Sequence, residues 1–264
     1  MFETPAWRQT VCGAWGSVHV LTGAHRHARD LRLLRVLHRI HKVNQSDGDI
    51  ALLNSTSEGV SNEVWEQYTQ VRATNVAVDA VNSARPARLP SSANEFLAMD
   101  HVLVAHPVRQ RYAMDCLAGM VAARKVFKAG AVVISTRQIE SIPAGCQGKV
   151  TQVLAGMYLV CSFAGQGVRV RPSSFDLFDN CGEKLASRLQ IPLVLGWAVT
   201  MHRCQGLTFD TLANDFSQKR WRKEGLVYSG WTRCRTFSGL LVRGLRHELI
   251  VASARAVRFF SSLL

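Results

Sequence analysis

The sequence lacks the features of membrane-spanning and secreted proteins. No uninterrupted apolar run approaches the ~18 residues that a membrane-spanning helix needs. The first residues carry Glu3 and Pro5 and do not form the basic, apolar and small-residue succession of a secretory signal. We therefore expect a soluble, intracellular protein with no membrane partner.

The cysteines and histidines are too scattered for a disulfide framework or a zinc site. The seven cysteines are odd in number, and no two are closer than fifteen positions, so we interpret them as free thiols. The close histidine pairs, His25 with His27 and His38 with His41, have no cysteine or carboxylate partner set nearby. We predict no metal site.

A nucleotide-binding phosphate loop is also missing from the sequence. The pattern GxxxxGK[ST] needs a glycine where Pro143 stands before Gly148-Lys149, and a hydroxyl where Val150 stands. No apolar run ends in the acidic pair that would bind Mg²⁺ and orient water. The chain therefore holds neither the phosphate-loop ligands nor the metal ligands of an ATPase.

Charge of one sign dominates instead. There are 32 Lys and Arg against 19 Asp and Glu, a formal net charge of +13, with a pI near 10.0. Lys and Arg bind phosphates with release of counterions, so a polyanion is the leading partner class. A solvated basic face or an organellar address explains the same composition.

The distribution of apolar residues predicts a mixed α/β chain. Positions 28–43 have apolar residues at helical spacing, with arginines on the other faces. Short apolar runs at 18–21 and 67–72 predict strands, the second followed by a helix through Asn82 that Thr74 and Asn75 could cap.

The pattern of apolar residues changes after a Ser-, Pro- and Arg-rich stretch at 83–94. This stretch predicts a linker or domain edge. From 96 to 170, short β-rich runs alternate with glycine-bearing turns, as in a small barrel or antiparallel sheet. Helical periodicity returns only near the end, between Ile250 and Phe260.

One segment concentrates polar side chains after an apolar run. The run from Pro192 to Thr200 predicts a strand that leads into a turn. Hydroxyl, imidazole, guanidinium and amide groups then follow closely, a set suited to phosphate and sugar contacts. An ordinary polar turn after a buried strand explains this spacing equally well. The residues concerned are Thr200, His202, Arg203, Gln205 and Gly206.

Two motifs in this region resemble a known family. WAVTMHRCQGLTFD is similar to the fifth motif of Pif-type (petite integration frequency) DNA helicases, a superfamily-one group related to RecD, and YSGWTRCRTFSGLLV resembles their sixth motif. Earlier stretches fit the same order: FETPAWRQ, LTGAHRHARD, VRATNVAVDAVN, FLAMD and AGAVVISTRQIESIPAGCQGKV. The resemblance covers essentially all 264 residues and corresponds to the C-terminal half of such helicases.

The resemblance implies a fold and a division into domains. It implies a second RecA-like motor domain built from residues 1–92 and 190–264. Residues 93–189 would form an inserted small Src-homology-like β-barrel.

It also implies roles for individual residues. Arg26 and Arg233 would reach the ATP γ-phosphate and stabilise charge in phosphoryl transfer, and Gln205 and Gly206 would lie at the ATP cleft. The single-strand backbone would be held by Thr74, Asn75, Thr200, His202 and Arg203. Alternatively, Thr74 has only a structural role as a helix cap, and Arg26 belongs to a solvated basic face without a functional role.

Some residues depart from the family pattern. Arg203 replaces the usual Lys, which turns a point charge into a planar fork, while Cys204 replaces Ser and His27 replaces Gln. Trp231 stands where Leu is usual, as a core residue or a base-stacking platform. A basic cluster with an interleaved aromatic suits strand tracking and stacking, or a solvated helix end; it comprises Lys219, Arg220, Trp221, Arg222 and Lys223.

Two functions follow from the resemblance. The first is an ATP-dependent DNA helicase moving 5′ to 3′ on single-stranded DNA in genome maintenance, repair and recombination, with ATP and Mg²⁺ as its cofactors and action in the nucleus or mitochondrion. The phosphate-loop half would then come from elsewhere, for example a separate subunit. The alternative is a catalytically inactive single-stranded-DNA-binding or scaffold protein derived from such a helicase.

Overall fold

The computed structural model describes residue 27 and residues 30–154, 157–217, 221 and 224–261. The predicted strand at 18–21 lies outside these residues. The chain divides into two compact units, with junctions at 75/76 and 198/199; the second unit is Val76–Ala198, and the first combines the segments on either side of it. The domain boundaries at 92/93 and 189/190 stay predictions.

Helices occur in both units. None in the described ranges is long and apolar enough to cross a membrane. The α-helices of these ranges are α1 Leu31–His41, α2 Asp47–Ser55, α3 Asn62–Gln67, α4 Asn75–Ala84, α5 Pro107–Met120, α6 Leu226–Trp231 and α7 Ala254–Ser261.

Strands also occur in both units, so the predicted mixed α/β class is confirmed. In chain order, those of the described ranges are β1 Thr69–Arg72, β2 Asn94–Leu97, β3 Met99–Val102, β4 Arg124–Phe127, β5 Val132–Ser135, β6 Gln147–Leu154, β7 Tyr158–Phe163, β8 Gln166–Val170, β9 Ser173–Phe178, β10 Lys184–Gln190, β11 Leu193–Leu195, β12 Ala198–Thr200, β13 Leu212–Asp215 and β14 Leu240–Arg243.

A four-stranded sheet with the order β12-β1-β13-β14 carries the predicted functional turn. Strand β13 runs parallel to both β1 and β14. Its residues Leu212 and Ala213 are buried, as are Leu240 to Val242 of β14. Continuous apolar runs of this kind are typical of parallel strands covered on both faces.

Helix α1 confirms the prediction of a helix over 28–43. The Asp30 carboxylate caps its start by accepting from the Leu33 backbone amide at 2.9 Å. The apolar stripe is buried, whereas Arg32 and Arg35 are exposed. The buried residues of this stripe are Leu33, Val36, Leu37 and Ile40.

An ion pair connects α1 to α2. The Arg39 guanidinium donates to both Asp49 carboxylate oxygens, at 2.7 and 2.5 Å. Asp49 also accepts from the Ser46 backbone amide as part of a capping box. The hydrogen bonds from Arg39, with those from Ser46, lower the pKa of buried Asp49 from 3.8 to about 2.

We expect Asp49→Asn to destabilise the protein at neutral pH by about 1–2 kcal/mol, discounted because Arg39 is partly exposed. The folded pKa of Asp49 lies below its unfolded value, so this contribution is complete above pH 4 and declines as pH falls toward 2. Urea unfolding between neutral pH and pH 3 measures it, with exposed Asp79→Asn as control. A difference that persists unchanged at pH 3 would contradict the assignment.

The described residues of the second unit form three antiparallel sheets. The largest has the order β11-β5-β6-β7-β8, and the others are β3-β10-β9 and β2-β4. The side chains of Val150, Leu159, Cys161 and Val170 lie in one buried cluster with Phe127. Closure of these strands into the predicted small barrel stays a prediction.

Helix α5 overturns the expectation that helical periodicity returns only near the C-terminus. It has Pro107 at its first turn, a favoured position because proline's missing amide is not needed there. Of its fourteen residues only Ala113 and Leu117 are buried, against Leu185 and Ala186 of β10. The helix therefore has no continuous apolar stripe that sequence periodicity could reveal.

Arg188 is a buried charge with a full set of partners. It is 2% exposed on β10, and it donates to both carboxylate oxygens of Asp100 at 2.6 Å. It also donates to the Val121 carbonyl oxygen at the end of α5, at 2.6 Å. One guanidinium thus joins β3, β10 and α5.

We expect Arg188→Met to lower the free energy of unfolding by about 3–5 kcal/mol, since Asp100 and the Val121 carbonyl lose their donor. The control is Arg109→Met, because Arg109 forms exposed ion pairs with Asp179 and Glu183, whose removal costs about 0–1 kcal/mol. Urea unfolding of both variants measures the difference. Equal destabilisation would show that the Arg188 network contributes no more than a surface pair.

Candidate functional site

The predicted polar turn begins at a strand held by a side-chain amide. Within the second unit, Asn82 donates to the Ala198 carbonyl oxygen and accepts from the Ala198 amide, both at 3.0 Å. These two bonds imitate strand pairing at the start of β12. Thr200 at the end of β12 is 6% exposed.

Thr200 organises the turn that follows. Its hydroxyl accepts from the Arg203 backbone amide at 3.3 Å, and its carbonyl oxygen accepts from the Cys204 amide at 3.0 Å. Met201 and Cys204 point into the core and are buried. The remaining predicted residues of the turn share its exposed side: His202, Arg203, Gln205 and Gly206.

Backbone pairing brings Arg233 to this turn. Phe209 pairs with Cys234 in a parallel bridge. The Phe209 amide donates to the Arg233 carbonyl oxygen at 2.8 Å, and the Arg235 amide donates to the Phe209 carbonyl oxygen at 3.0 Å. Arg233 is therefore bonded to a residue only three positions after Gly206.

The Arg233 charge also acts on neighbouring groups of the turn and of α6. Burial raises the pKa of the Cys204 thiol to about 12, and the cationic Arg233 opposes this rise. Burial likewise raises the pKa of Tyr228, and the positive charge of Arg233 again opposes the rise. The Arg233 side chain is half-buried, and its Nε donates to the Ser229 carbonyl oxygen at 3.3 Å. The Arg233 charge is thus held at the end of α6 and influences groups of both α6 and the turn.

Helix α6 can approach the turn closely because it contains a glycine. A Cβ atom at Gly230 would lie 1.8 Å from Met201 Sδ and 2.6 Å from Met201 Cε. Real Cβ contacts are essentially never this short, so the flexible end of the Met201 side chain would have to shift to admit any larger residue. This packing fixes α6, and Arg233 beyond it, against the turn.

We expect Gly230→Ala to destabilise the protein by about 1 kcal/mol, the low end of the range for overpacking, because the end of Met201 can shift and alanine has the better helix propensity. Adding Met201→Ala removes the obstructing side chain, so the double variant should be destabilised by less than the sum of the single effects. The control is Gly119→Ala in α5, where the new methyl group meets nothing within 4 Å. Strict additivity in urea unfolding would show that Gly230 and Met201 do not compete for one space.

A second pair of hydrogen bonds joins the start of α1 to the segment after Arg233. His27 is buried, and its Nε2 lies 2.9 Å from the Cys234 carbonyl oxygen. Asp30 accepts from the Phe237 amide at 2.6 Å. Arg26 itself lies outside the described residues. His27, which follows Arg26, is nevertheless bonded to Cys234, which follows Arg233. The sequence marked His27 as a departure from the family pattern but did not predict this bond.

The other predicted strand-binding residues follow a neighbouring strand. Thr74 and Asn75 follow β1 after one intervening residue, Ala73, and β1 lies beside β12 in the sheet. Thr74 is half-buried and Asn75 is exposed at the start of α4. Both predicted strand-binding segments thus begin at the ends of adjacent strands.

The tryptophans belong to the core. Trp231 is fully buried, and its Nε1 donates to Asn214 Oδ1 at 3.3 Å. Trp221 is 1% exposed, with its ring centroid 4.9 Å from that of Phe216. The core interpretation of Trp231 is confirmed, and stacking of a base on either ring is wrong for this structure. The cationic residues around Trp221 lie outside the described ranges: Lys219, Arg220, Arg222 and Lys223.

No group of three or more His, Cys, Asp and Glu side chains within the described ranges could hold a metal ion. The exposed groups of the turn are donors and a cation, which suit an anionic ligand.

Known proteins with similar sequences are mostly DNA helicases. The chain is 34% identical over 116 residues to the ATP-dependent DNA helicase Pif1 of Bdellovibrio bacteriovorus, covering 44% of this chain and 26% of that protein. It is 28% identical over 142 residues to the ATP-dependent DNA helicase PIF1 of Danio rerio, covering 52% and 22%. No protein-family model matches the chain.

Solved structures give the broader match. The crystal structure of Pif1 helicase from Candida albicans aligns with a TM-score of 0.73 at 20% identity, covering 90% of this chain and 59% of that one. The chain resembles the Pif1 helicases in sequence and in fold, as predicted. Bacteroides sp Pif1 in complex with ADP-AlF4 aligns with a TM-score of 0.68 at 18% identity, covering 88% and 54%. The chain thus spans little more than half of these Pif1 structures and about a quarter of the curated Pif1 relatives above.

Proposed function

We propose that this chain is the second motor domain of a Pif1-type ATP-dependent DNA helicase, moving 5′ to 3′ on single-stranded DNA. On this proposal residues 1–92 and 190–264 form the RecA-like part, and 93–189 the inserted small barrel. Its work would lie in DNA maintenance, repair and recombination, in the nucleus or mitochondrion. The matched Pif1 structures include one bound to ssDNA and one with ADP-AlF4.

The observation that carries the proposal is the joining of the two motifs that hold the candidate residues. The Arg233 carbonyl oxygen accepts a hydrogen bond from the Phe209 amide in the segment after the turn, and the Arg233 charge acts on the Cys204 thiol. Arg233 would therefore act on the ligand that Gln205 and Gly206 face, the γ-phosphate of ATP. An arginine supplied to a γ-phosphate in this way is worth about 10³ to 10⁵ in rate.

Arg26 is the second arginine of the proposal. The bond from His27 to the Cys234 carbonyl oxygen supports its placement near Arg233, because each bonded residue directly follows one of the two arginines. Two cations at one phosphate would neutralise more of the charge that develops in the transition state.

Single-stranded DNA would be held by the exposed side of the turn. His202 and Arg203 offer imidazole and guanidinium donors there, and Thr74 and Asn75 follow the adjacent strand. The Thr200 hydroxyl would act through the turn, because it already accepts from the Arg203 amide. Arg203 replaces a lysine of the family pattern and would hold a phosphate through its planar fork.

The phosphate loop and the Mg²⁺ ligands of this reaction are not in the 264 residues. ATP with Mg²⁺ would therefore be completed by a first motor domain, in the same or another chain. When bound, the nucleotide supplies the phosphoryl group, and the residues of this chain hold and stabilise its charge.

The alternative proposal is a strand-binding or scaffold protein without catalysis, favoured by the +13 charge together with the missing phosphate loop. Strand affinity would then fall steeply with salt and be indifferent to Mg-ATP.

The deciding experiment joins this chain to the phosphate-loop half of the Bdellovibrio relative and measures strand-stimulated ATP hydrolysis. We expect Arg233→Ala to lower turnover by roughly 10³-fold with little change in strand affinity. The matched control is Arg235→Ala on the same loop, because Arg235 forms an exposed pair with Asp210. Arg203→Ala should instead weaken strand binding.

Turnover that survives Arg233→Ala would contradict the assignment of that arginine. Hydrolysis by the 264-residue chain alone would show that a phosphate site exists within it. A joined protein that binds strands but hydrolyses nothing would favour the scaffold alternative.

A further inference from the structure

Strand β8 lies at one edge of the largest sheet of the second unit. The order β11-β5-β6-β7-β8 leaves β8 paired on one side only, with β7. Among the described residues, the β8 backbone makes no hydrogen bond beyond that ladder. The free side of an edge strand presents amide and carbonyl groups with which an added strand can pair.

The hairpin between β7 and β8 determines which backbone groups face the free side. Its two loop residues, Ala164 and Gly165, have φ values of 49° and 86°. Positive φ at both positions is typical of a type I′ turn, and the pair that flanks such a two-residue loop is hydrogen-bonded. Hydrogen-bonded and non-hydrogen-bonded pairs then alternate along the antiparallel ladder. Gly167 and Arg169 therefore belong to non-hydrogen-bonded pairs, and their N–H and C=O groups point away from β7.

Space for an added strand is present beside β8. A groove of about 520 Å³ is lined by Arg169 and Arg171 together with Gln138 and Ile139 of the turn after β5. A Cβ atom added at Gly167 would meet nothing within 4 Å. An extended chain can therefore approach the outward groups of Gly167 and Arg169.

The charge on the solvent-facing side of β8 is strongly one-sided. Neither Arg169 nor Arg171 forms an ion pair with the described residues, and both are exposed. Lys149 of β6 lies in the same cross-strand row as Gly167, since each pairs with the intervening residue of β7. Glu140 of the groove lining is the one carboxylate set against these three cations.

The Arg169 side chain is also supported from below. Its guanidinium carbon lies 4.6 Å from the centroid of the Tyr158 ring on β7. A guanidinium placed over a ring keeps its N–H edge available to a carboxylate. Carboxylates on a strand added beside β8 would lie within reach of this edge, because side chains opposite each other in neighbouring strands are in contact.

We propose that β8 is a docking edge for an extended, acidic segment of a partner protein. The segment adds a strand beside β8 and pairs with the outward N–H and C=O groups of Gly167 and Arg169. Its acidic side chains, at alternate positions, bind Arg169, Arg171 and Lys149. Backbone pairing supplies affinity and the alternate side chains supply specificity in this mode of recognition.

The backbone chemistry of the edge favours a polypeptide as the occupant. The outward groups of β8 alternate between donors and acceptors, and the backbone of an added peptide offers the complementary alternation. A phosphodiester backbone has acceptors for the N–H groups but no N–H donors for the carbonyl oxygens. The inference goes beyond the proposed function, because it concerns a protein partner and uses none of the residues of the Thr200–Gly206 turn.

The test measures fluorescence anisotropy of a labelled Glu-Val-Glu-Val-Glu-Val peptide with the full 264-residue chain. Gly167→Pro should weaken binding roughly tenfold, because proline removes an outward N–H while leaving the ladder to β7 intact. The matched control is Gly167→Ala, which keeps the N–H and places its methyl group in open space. It should bind within about twofold of the wild type. N-methylation of the valine amides of the peptide tests the same pairing without altering the chain, and should also abolish binding.

The acidic preference is tested separately with the double variant Arg169→Gln/Arg171→Gln. It should bind the peptide on the order of tenfold more weakly, and its binding should depend less on salt, since exposed charges are screened. The control Arg111→Gln/Arg124→Gln removes the same charge from exposed positions of the same unit and should keep the wild-type affinity. A peptide of alternating Lys and Val should not bind the wild-type chain.

Equal affinities of the Gly167→Pro and Gly167→Ala variants, or an unchanged affinity for the N-methylated peptide, would overturn the pairing at β8. A wild-type chain that does not bind the peptide would overturn the proposal. Self-association of the Arg169→Gln/Arg171→Gln variant in light scattering would then show that these charges only protect the edge from other strands. Binding of oligothymidylate instead of the peptide, with loss in the same variant, would assign the groove to nucleic acid.

Discussion

The packing of Met201 on the bare backbone of Gly230 is the constraint on which the candidate site depends. It lets α6 approach the turn to a distance at which any side chain at position 230 would displace the end of Met201. The bridge between Phe209 and Cys234 then fixes the segment after α6 in register with the segment after the turn. A half-buried arginine at this junction needs such support, because a charge is useful to a ligand only when its position is set before the ligand arrives.

Further polar interactions extend this rigidity to elements distant in sequence. Asp30 caps α1 with one carboxylate oxygen and accepts from Phe237 with the other. Asn82 plays a comparable part at the start of β12 through its bonds to Ala198. In both cases one side chain satisfies backbone groups that would otherwise be left without partners, and so fixes where a segment begins.

Much of the fold followed from local patterns. The stripe of Leu33, Val36, Leu37 and Ile40 predicted α1 because helical spacing places these residues on one face. Helix α5 escaped prediction because it buries only two side chains, and its remaining apolar residues are spread around it. Asp100, the aspartate of FLAMD, matched a family pattern, but the sequence did not indicate its role. Its partner Arg188 lies 88 positions away. No local pattern encodes that pairing.

The sequence by itself determined the basic charge, the strand and helix at 67–82, the polar residues of the Thr200–Gly206 turn and the resemblance to Pif1 helicases. Each of these depends on residue type or short-range spacing. The tertiary structure alone decided that Trp231 lies in the core, that His27 bonds to Cys234 and that the Arg169 guanidinium lies over the Tyr158 ring. These outcomes depend on which distant segments pack together, since burial and hydrogen bonding are properties of the packed chain and not of its local order.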